Sequence, residues 1–144
     1  MPPIRVDFYL LASEQNDARW TVACRLLEKA YIKGHRVFVI CDNQQDAELL
    51  DELLWTFRDD SFIPHNLQGE GPEPPPPIQI GYGKEPRGFN DILLNMTNSV
   101  PSFYNKFKRG YIIRKMTPKV KGSPQKACCE KFSFLLFYWT HWRI

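Results

Sequence analysis

Side chains able to do chemistry are scattered along this chain, and few stand at working spacings. His65, in the run PHNL, is the obvious general base, but no nucleophile or paired acid stands beside it. A ring that hydrogen-bonds turn backbone is the simpler role for it. Asp59 and Asp60 are adjacent, so their carboxylates diverge and do not make a catalytic dyad. Asp51 and Glu52 fall on the solvated side of a helix, where they serve solubility. Glu70 lies between Gly69 and Gly71, placed to accept N–H groups of a turn. His35 and His141 have no partner at metal-ligand spacing. Cys24 and Cys41 sit in apolar-periodic segments as small buried hydrophobes. Cys128 and Cys129 are adjacent, with no C-x-x-C and no His at zinc spacing. The expectation is no catalytic residue, no metal and no cofactor.

What the chain does offer is a pair of large aromatics beside turn chemistry, in Leu50–Gly71, LDELLWTFRDDSFIPHNLQGEG. On a helix numbered from Ala47 at about 100° per residue, the four leucines centre near 280° and Trp55 falls near 80°. Two readings are open. Either Trp55 faces outward as a partner anchor, or the helix ends at Leu54 and the indole folds back as core. Trp is enriched in binding hot spots. Phe62 follows on a loop constrained by Pro64, then His65, Asn66, Gly69 and Gly71 supply the turn. Trp55, Phe62 and Pro64 are therefore the candidate partner-binding residues, with His65, Asn66, Gly69 and Gly71 holding the turn.

At 144 residues the chain fits one domain with a sizeable core. Apolar content of 43% and charge of 24% are ordinary for a soluble globular protein. The charge is uneven: residues 1–91 hold 9 Lys/Arg against 15 Asp/Glu, and residues 92–144 hold 10 against Glu130 alone. Such a basic end suits nucleic acid or an acidic peptide, although a solvated basic tail explains it as well. The start, MPPIRVD, lacks a charged region followed by an apolar run, so no signal peptide is expected. The apolar run Phe132–Trp139 is far shorter than the ~20 residues of a membrane helix. These features point to the cytoplasm, with reduced thiols.

The elements that must position these residues follow in order. VDFYLL, Val6–Leu11, is a continuous apolar run and predicts a buried strand. Asp17 is a plausible N-cap for a helix over Ala18–Lys33, whose Trp20, Ala23, Cys24, Leu27, Ala30 and Tyr31 share one face. Gly34 ends it. RVFVIC, Arg36–Cys41, predicts a second strand, and Asp42 or Asn43 caps a helix running to about Trp55. PEPPPP, Pro72–Pro77, predicts a polyproline II spacer. A short strand over Ile78–Ile80, a polar loop over Gly81–Gly88 and a strand over Asp91–Met96 come next. Val100–Arg109, entered through Pro101, has a helical spacing of apolar residues. Alternating strands and helices argue for a three-layer α/β domain with a mostly parallel, Rossmann-like sheet. The first joint, ASEQNDARW, has no glycine, so the phosphate-binding loop of a dinucleotide enzyme is missing.

LDELLW followed by SFIPHNLQGEGP resembles the signature of the chi subunit of bacterial DNA polymerase III, an accessory protein of the clamp loader. VDFYLL, HRVFVICDNQQDAELLDE and DILLNM match that family in order, over roughly residues 5–109. The resemblance implies a non-catalytic subunit of a DNA-directed DNA polymerase complex. It implies a heterodimer with the psi subunit, and binding to the acidic, Phe-terminated tail of single-stranded DNA-binding protein, with nucleic acid contacted only indirectly. Phe62 matches the position used for psi and for an alternative helicase partner, and Trp55 the position at the tail pocket. The Arg and Tyr that complete that pocket in the family come from a C-terminal helix whose pattern is absent here. From Gly110 the chain turns basic and Pro-broken and ends in FSFLLFYWTHWRI. Residues 110–144 therefore form a divergent segment, through a shift of reading frame near Arg109 or Gly110 or as a tail whose aromatics cover the sheet edge. Lys119, Lys121 or Lys126 could stand in for the missing Arg.

Two other classes compete with this reading. An α/β enzyme or nucleotide-binding protein needs a glycine loop or clustered acids at strand C-termini, and Asp42 alone sits in such a place. Direct binding of single-stranded DNA would use the basic, aromatic C-terminal region.

Overall fold

Every residue of Val37–Cys41 is buried, as expected of a parallel strand covered on both faces. The computed structural model of this chain describes residues 4–11 and 16–115. It has strands β1 (Arg5–Leu11), β2 (Val37–Cys41), β3 (His65–Leu67), β4 (Ile78–Tyr82), β5 (Ile92–Asn95) and β6 (Arg109–Lys115), and helices α1 (Asn16–Ile32) and α2 (Gln44–Thr56). The six strands form one sheet in the order β1-β6-β5-β2-β4-β3, and every neighbouring pair is parallel. This is the α/β fold expected from the alternation of elements.

The sheet's two faces follow from the period of two along each strand. Val37, Val39 and Cys41 join Ile78, Ile80, Ile92, Leu94 and Ile113 beneath α1 and α2. Phe38, Ile40 and Leu93 point the other way, against Phe89, Phe103 and Phe107. Those phenylalanines make the third layer among the described residues. Helix α1 buries Ala23, Cys24, Leu27 and Ala30, the stripe its spacing predicts. It starts at Asn16, so Asp17 lies in the first turn rather than at the cap. Gly34, at φ 78°, closes it: the N–H groups of Gly34 and His35 donate to Tyr31 and Ala30, the two bonds of a Schellman turn.

Three expectations change. No helix spans Val100–Arg109. A single 3-10 turn covers Tyr104–Lys106, after which the Lys108 N–H donates to the Asn90 and Asp91 carbonyls. That capture turns the chain into β6, which pairs with both β1 and β5. The helical spacing instead marks the residues that cover the sheet, Phe103 and Phe107 against Phe38 and Phe89. Second, β6 runs across Gly110, so the change of character there does not mark the edge of the fold. Third, His65 and Asn66 belong to a short edge strand, and Gly81 lies inside β4 rather than opening a loop. A Cβ on Gly81 would stand 2.5 Å from Gln68 Oε1 and 2.7 Å from Phe38 Cζ. Only glycine lets that buried ring pass so close to the backbone.

A part-buried ion pair ties β6 to β1. Arg109 donates from Nε, at 2.7 Å, and from Nη2 to the Asp7 carboxylate, which is 5% exposed. Residues 116–144, with Cys128, Cys129, His141 and the terminal aromatics, lie outside the described residues.

Candidate functional site

The stretch of chain that carries Trp55 and Phe62 leaves α2 and enters β3 at one edge of the sheet. Helix α2 starts on an Asn43 cap whose Oδ1 accepts from the Asp46 N–H at 2.8 Å. Its inner residues Ala47, Leu50 and Leu54 are all buried. Leu49, by contrast, is 40% exposed. The inner arc is thus narrower than four leucines suggested, and Trp55 lies roughly 105° from it rather than opposite it. The helix runs through Trp55 to Thr56, and the indole is 57% exposed. The reading in which Trp55 folds back as core is therefore wrong. It stands on the flank of α2, facing the loop.

That loop brings Phe62 to it. The two ring centroids are 5.6 Å apart with planes inclined at 46°, and Phe62 is 65% exposed. The next residue, Ile63, is 2% exposed and enters the core under α2. Alternation along an extended segment sends one side chain in and its neighbour out, so burial of Ile63 holds Phe62 on the surface. Pro64 is half-buried and stiffens the entry into β3.

His65 locks the arrangement from beneath. Its side chain is 1% exposed, and its centroid lies 4.9 Å from that of Trp55. Nδ1 meets the Ile63 carbonyl at 2.6 Å, and Nε2 meets the Asp51 carbonyl at 3.2 Å and its Oδ1 at 3.3 Å. One imidazole thereby ties helix, loop and strand together and supports the indole. Asn66 Nδ2 donates to the Glu70 carbonyl, and Gly69 and Gly71 take φ of 92° and 87°. A Cβ on Gly71 would also meet Asn66 Nδ2 at 3.0 Å.

Arg58 fixes the first half of the loop. Nε and Nη2 grip the Asp60 carboxylate at 3.0 and 2.9 Å, and Nη1 reaches Glu28 of α1 at 3.2 Å. Hydrogen bonds from Arg58, reinforced by its charge, hold the Asp60 carboxyl below its ordinary range. Sequence reasoning missed Arg58, Glu28 and the bond from His65 to Asp51. All are contacts across the fold, and no local pattern announces them.

Of the sequence-derived residues, Trp55, Phe62 and His65 are brought into ring contact. Pro64 lies between Ile63 and His65 in the chain, and Asn66, Gly69 and Gly71 shape the turn that follows β3. Burial pushes the Cys24 thiol up to about 11 and the Cys41 thiol up to about 12, which leaves neither as a nucleophile near neutrality. His35 pairs with Asp91 at 3.0 Å. Among the described residues no group of three or more His, Cys, Asp or Glu is placed to hold a metal, and no helix is long and apolar enough to cross a membrane.

Fold and surface together define a three-layer parallel α/β domain that displays a supported aromatic pair at its sheet edge. The family model described as "DNA polymerase III chi subunit, HolC" matches residues 4–126. A DNA polymerase III subunit chi from Pseudomonas aeruginosa is 38% identical over 130 residues, covering 90% of this chain and 87% of that protein. Those of Haemophilus influenzae and Escherichia coli are each 33% identical, covering 70% and 69% of this chain and 71% of each relative. The chain belongs to the DNA polymerase III chi subunit family, and so to the accessory subunits of bacterial DNA replication. The match continues past residue 109, where the sequence motifs alone lose it.

Proposed function

We propose that this chain pairs with the psi subunit through the Trp55–Phe62 surface and so joins the clamp loader in the cytoplasm. In that role it supplies contacts rather than chemistry, and links the loader to single-stranded DNA-binding protein. One observation carries the pairing. Two exposed rings touch each other on a support of buried His65 and Ile63, in a chain of the chi family. Preordered aromatics lose little freedom on binding, which favours them as anchors. A helicase that uses Phe62 would compete with psi for the same ring.

The tail of single-stranded DNA-binding protein needs a cationic site beside an apolar pocket. Arg58, the cation nearest Trp55 in sequence, is engaged by Asp60 and Glu28. The candidate cations Lys119, Lys121 and Lys126 lie outside the described residues. The contact between Trp55 and Phe62 supports assigning both rings to psi. Calorimetric titration of psi into this chain and into its Phe62→Ala variant tests the pairing. Equal affinities would reject it.

A further inference from the structure

On its α2 side the aromatic pair is flanked by carboxylates. On α2, Glu48, Asp51 and Glu52 lie within roughly 60° of Trp55 around the helix axis, and residues three and four apart are surface neighbours. Glu48 and Glu52 are exposed. Helix α2 contains no Lys or Arg. From Asp42 to Glu73 the chain holds nine acids and one cation, Arg58, which Asp60 and Glu28 already engage.

We infer that the segment docking on Trp55 and Phe62 is cationic: a stretch of a partner protein that sets Lys or Arg around one or two apolar anchors. This rests on the reading of the patch as a docking surface. An apolar anchor covers the two rings and removes water from the carboxylates at their rim. Those carboxylates then interact more strongly with any charge brought beside them. A basic segment gains from this, a neutral one leaves them desolvated, and an acidic one is repelled. Charge of this kind acts chiefly on the rate of encounter and on the choice of partner.

Two measurements on the full chain test the inference. The first is psi association by stopped flow at low and high salt, for the native chain and for Glu48→Lys/Glu52→Lys, with Glu48→Gln/Glu52→Gln as a milder control. Both positions are exposed, and an unchanged melting curve shows that the fold is kept. At low salt the reversal should slow association roughly tenfold and flatten its salt dependence, with the neutral pair in between. Association that ignores both salt and reversal overturns the inference while leaving the pairing intact. The second measurement titrates two labelled synthetic helical peptides with identical leucines, one lysine-rich and one glutamate-rich. Only the lysine peptide should bind, and Phe62→Ala should abolish that binding. If the glutamate peptide binds equally well, the inference fails. If psi binding survives Phe62→Ala, the psi reading fails, and the lysine peptide still decides the charge of the patch.

Discussion

Replacing Phe62 by alanine removes a ring whose role the geometry restricts to the surface. An aromatic side chain offers on the order of 200 Å², and Phe62 is 65% exposed. About 130 Å² is thus available to a partner, and at about 25 cal/mol per Å² its burial contributes about 3 kcal/mol. Truncation leaves the Cβ, so the expected loss in psi affinity is about 2–3 kcal/mol, a rise of roughly 30- to 150-fold in Kd. The fold should barely notice, by no more than about 0.5 kcal/mol, as for other exposed positions. Trp55→Ala should also weaken psi, and the double variant should lose less than the sum. Rings in contact couple by about 0.5–1.5 kcal/mol. Calorimetry gives the affinities and a thermal melt run alongside gives the stability. A Kd within about threefold of the native value for Phe62→Ala would refute the anchor. An affinity loss that tracks a fall in melting temperature would recast Phe62 as support.

Three further outcomes concern the scaffold. Leu54→Ala opens a cavity at a residue 2% exposed and should cost about 2–5 kcal/mol in urea denaturation; an unchanged midpoint contradicts the placement of α2. Gly81→Ala should cost about 1–3 kcal/mol by overpacking, because the Phe38 ring it meets is wholly buried; a stabilised variant would show that the ring can yield. The raised thiols of Cys24 and Cys41 mean that the native state holds protons which the unfolded state releases above the ordinary value of 9.0. Their contribution is therefore complete below that pH and is lost as pH rises through about 11 to 12. In denaturation curves from pH 8 to pH 12, a Cys24→Ala/Cys41→Ala variant should lose stability less steeply than the native chain, and parallel curves would oppose this.

Much of the site could be read from residue order because its signals are local. Trp55 falls off the apolar arc of its helix, Phe62 precedes a buried Ile63, and the two glycines sit where the turn requires positive φ. What joins these residues is not local. The contact of the two rings, the grip of His65 on Asp51 and the reach of Arg58 to Glu28 depend on how α2 lies beside the loop. The stretch from Val100 misled for a different reason. Val100, Phe103, Tyr104 and Phe107 have helical spacing, but the sheet needs those rings only as a cover, and backbone bonds to Asn90 and Asp91 take the chain elsewhere. Tyr111, Ile112 and Ile113 carry a strand signal, obscured by the lysines and prolines that follow them.

The order of the sheet also has a consequence for synthesis of the chain. Among the described residues strand β1 has β6 as its one neighbour, and the salt bridge between them spans 102 positions of sequence. While the ribosome works through residues 12–108, the first strand has no partner. An unpaired apolar edge of this kind folds late and invites association with other chains. Any change in the coding frame that reaches Arg109–Ile113 would remove both the strand and the guanidinium that closes on Asp7. The finished chain would then keep the exposed strand that the native chain covers at the end of synthesis, and would stay prone to association with other chains.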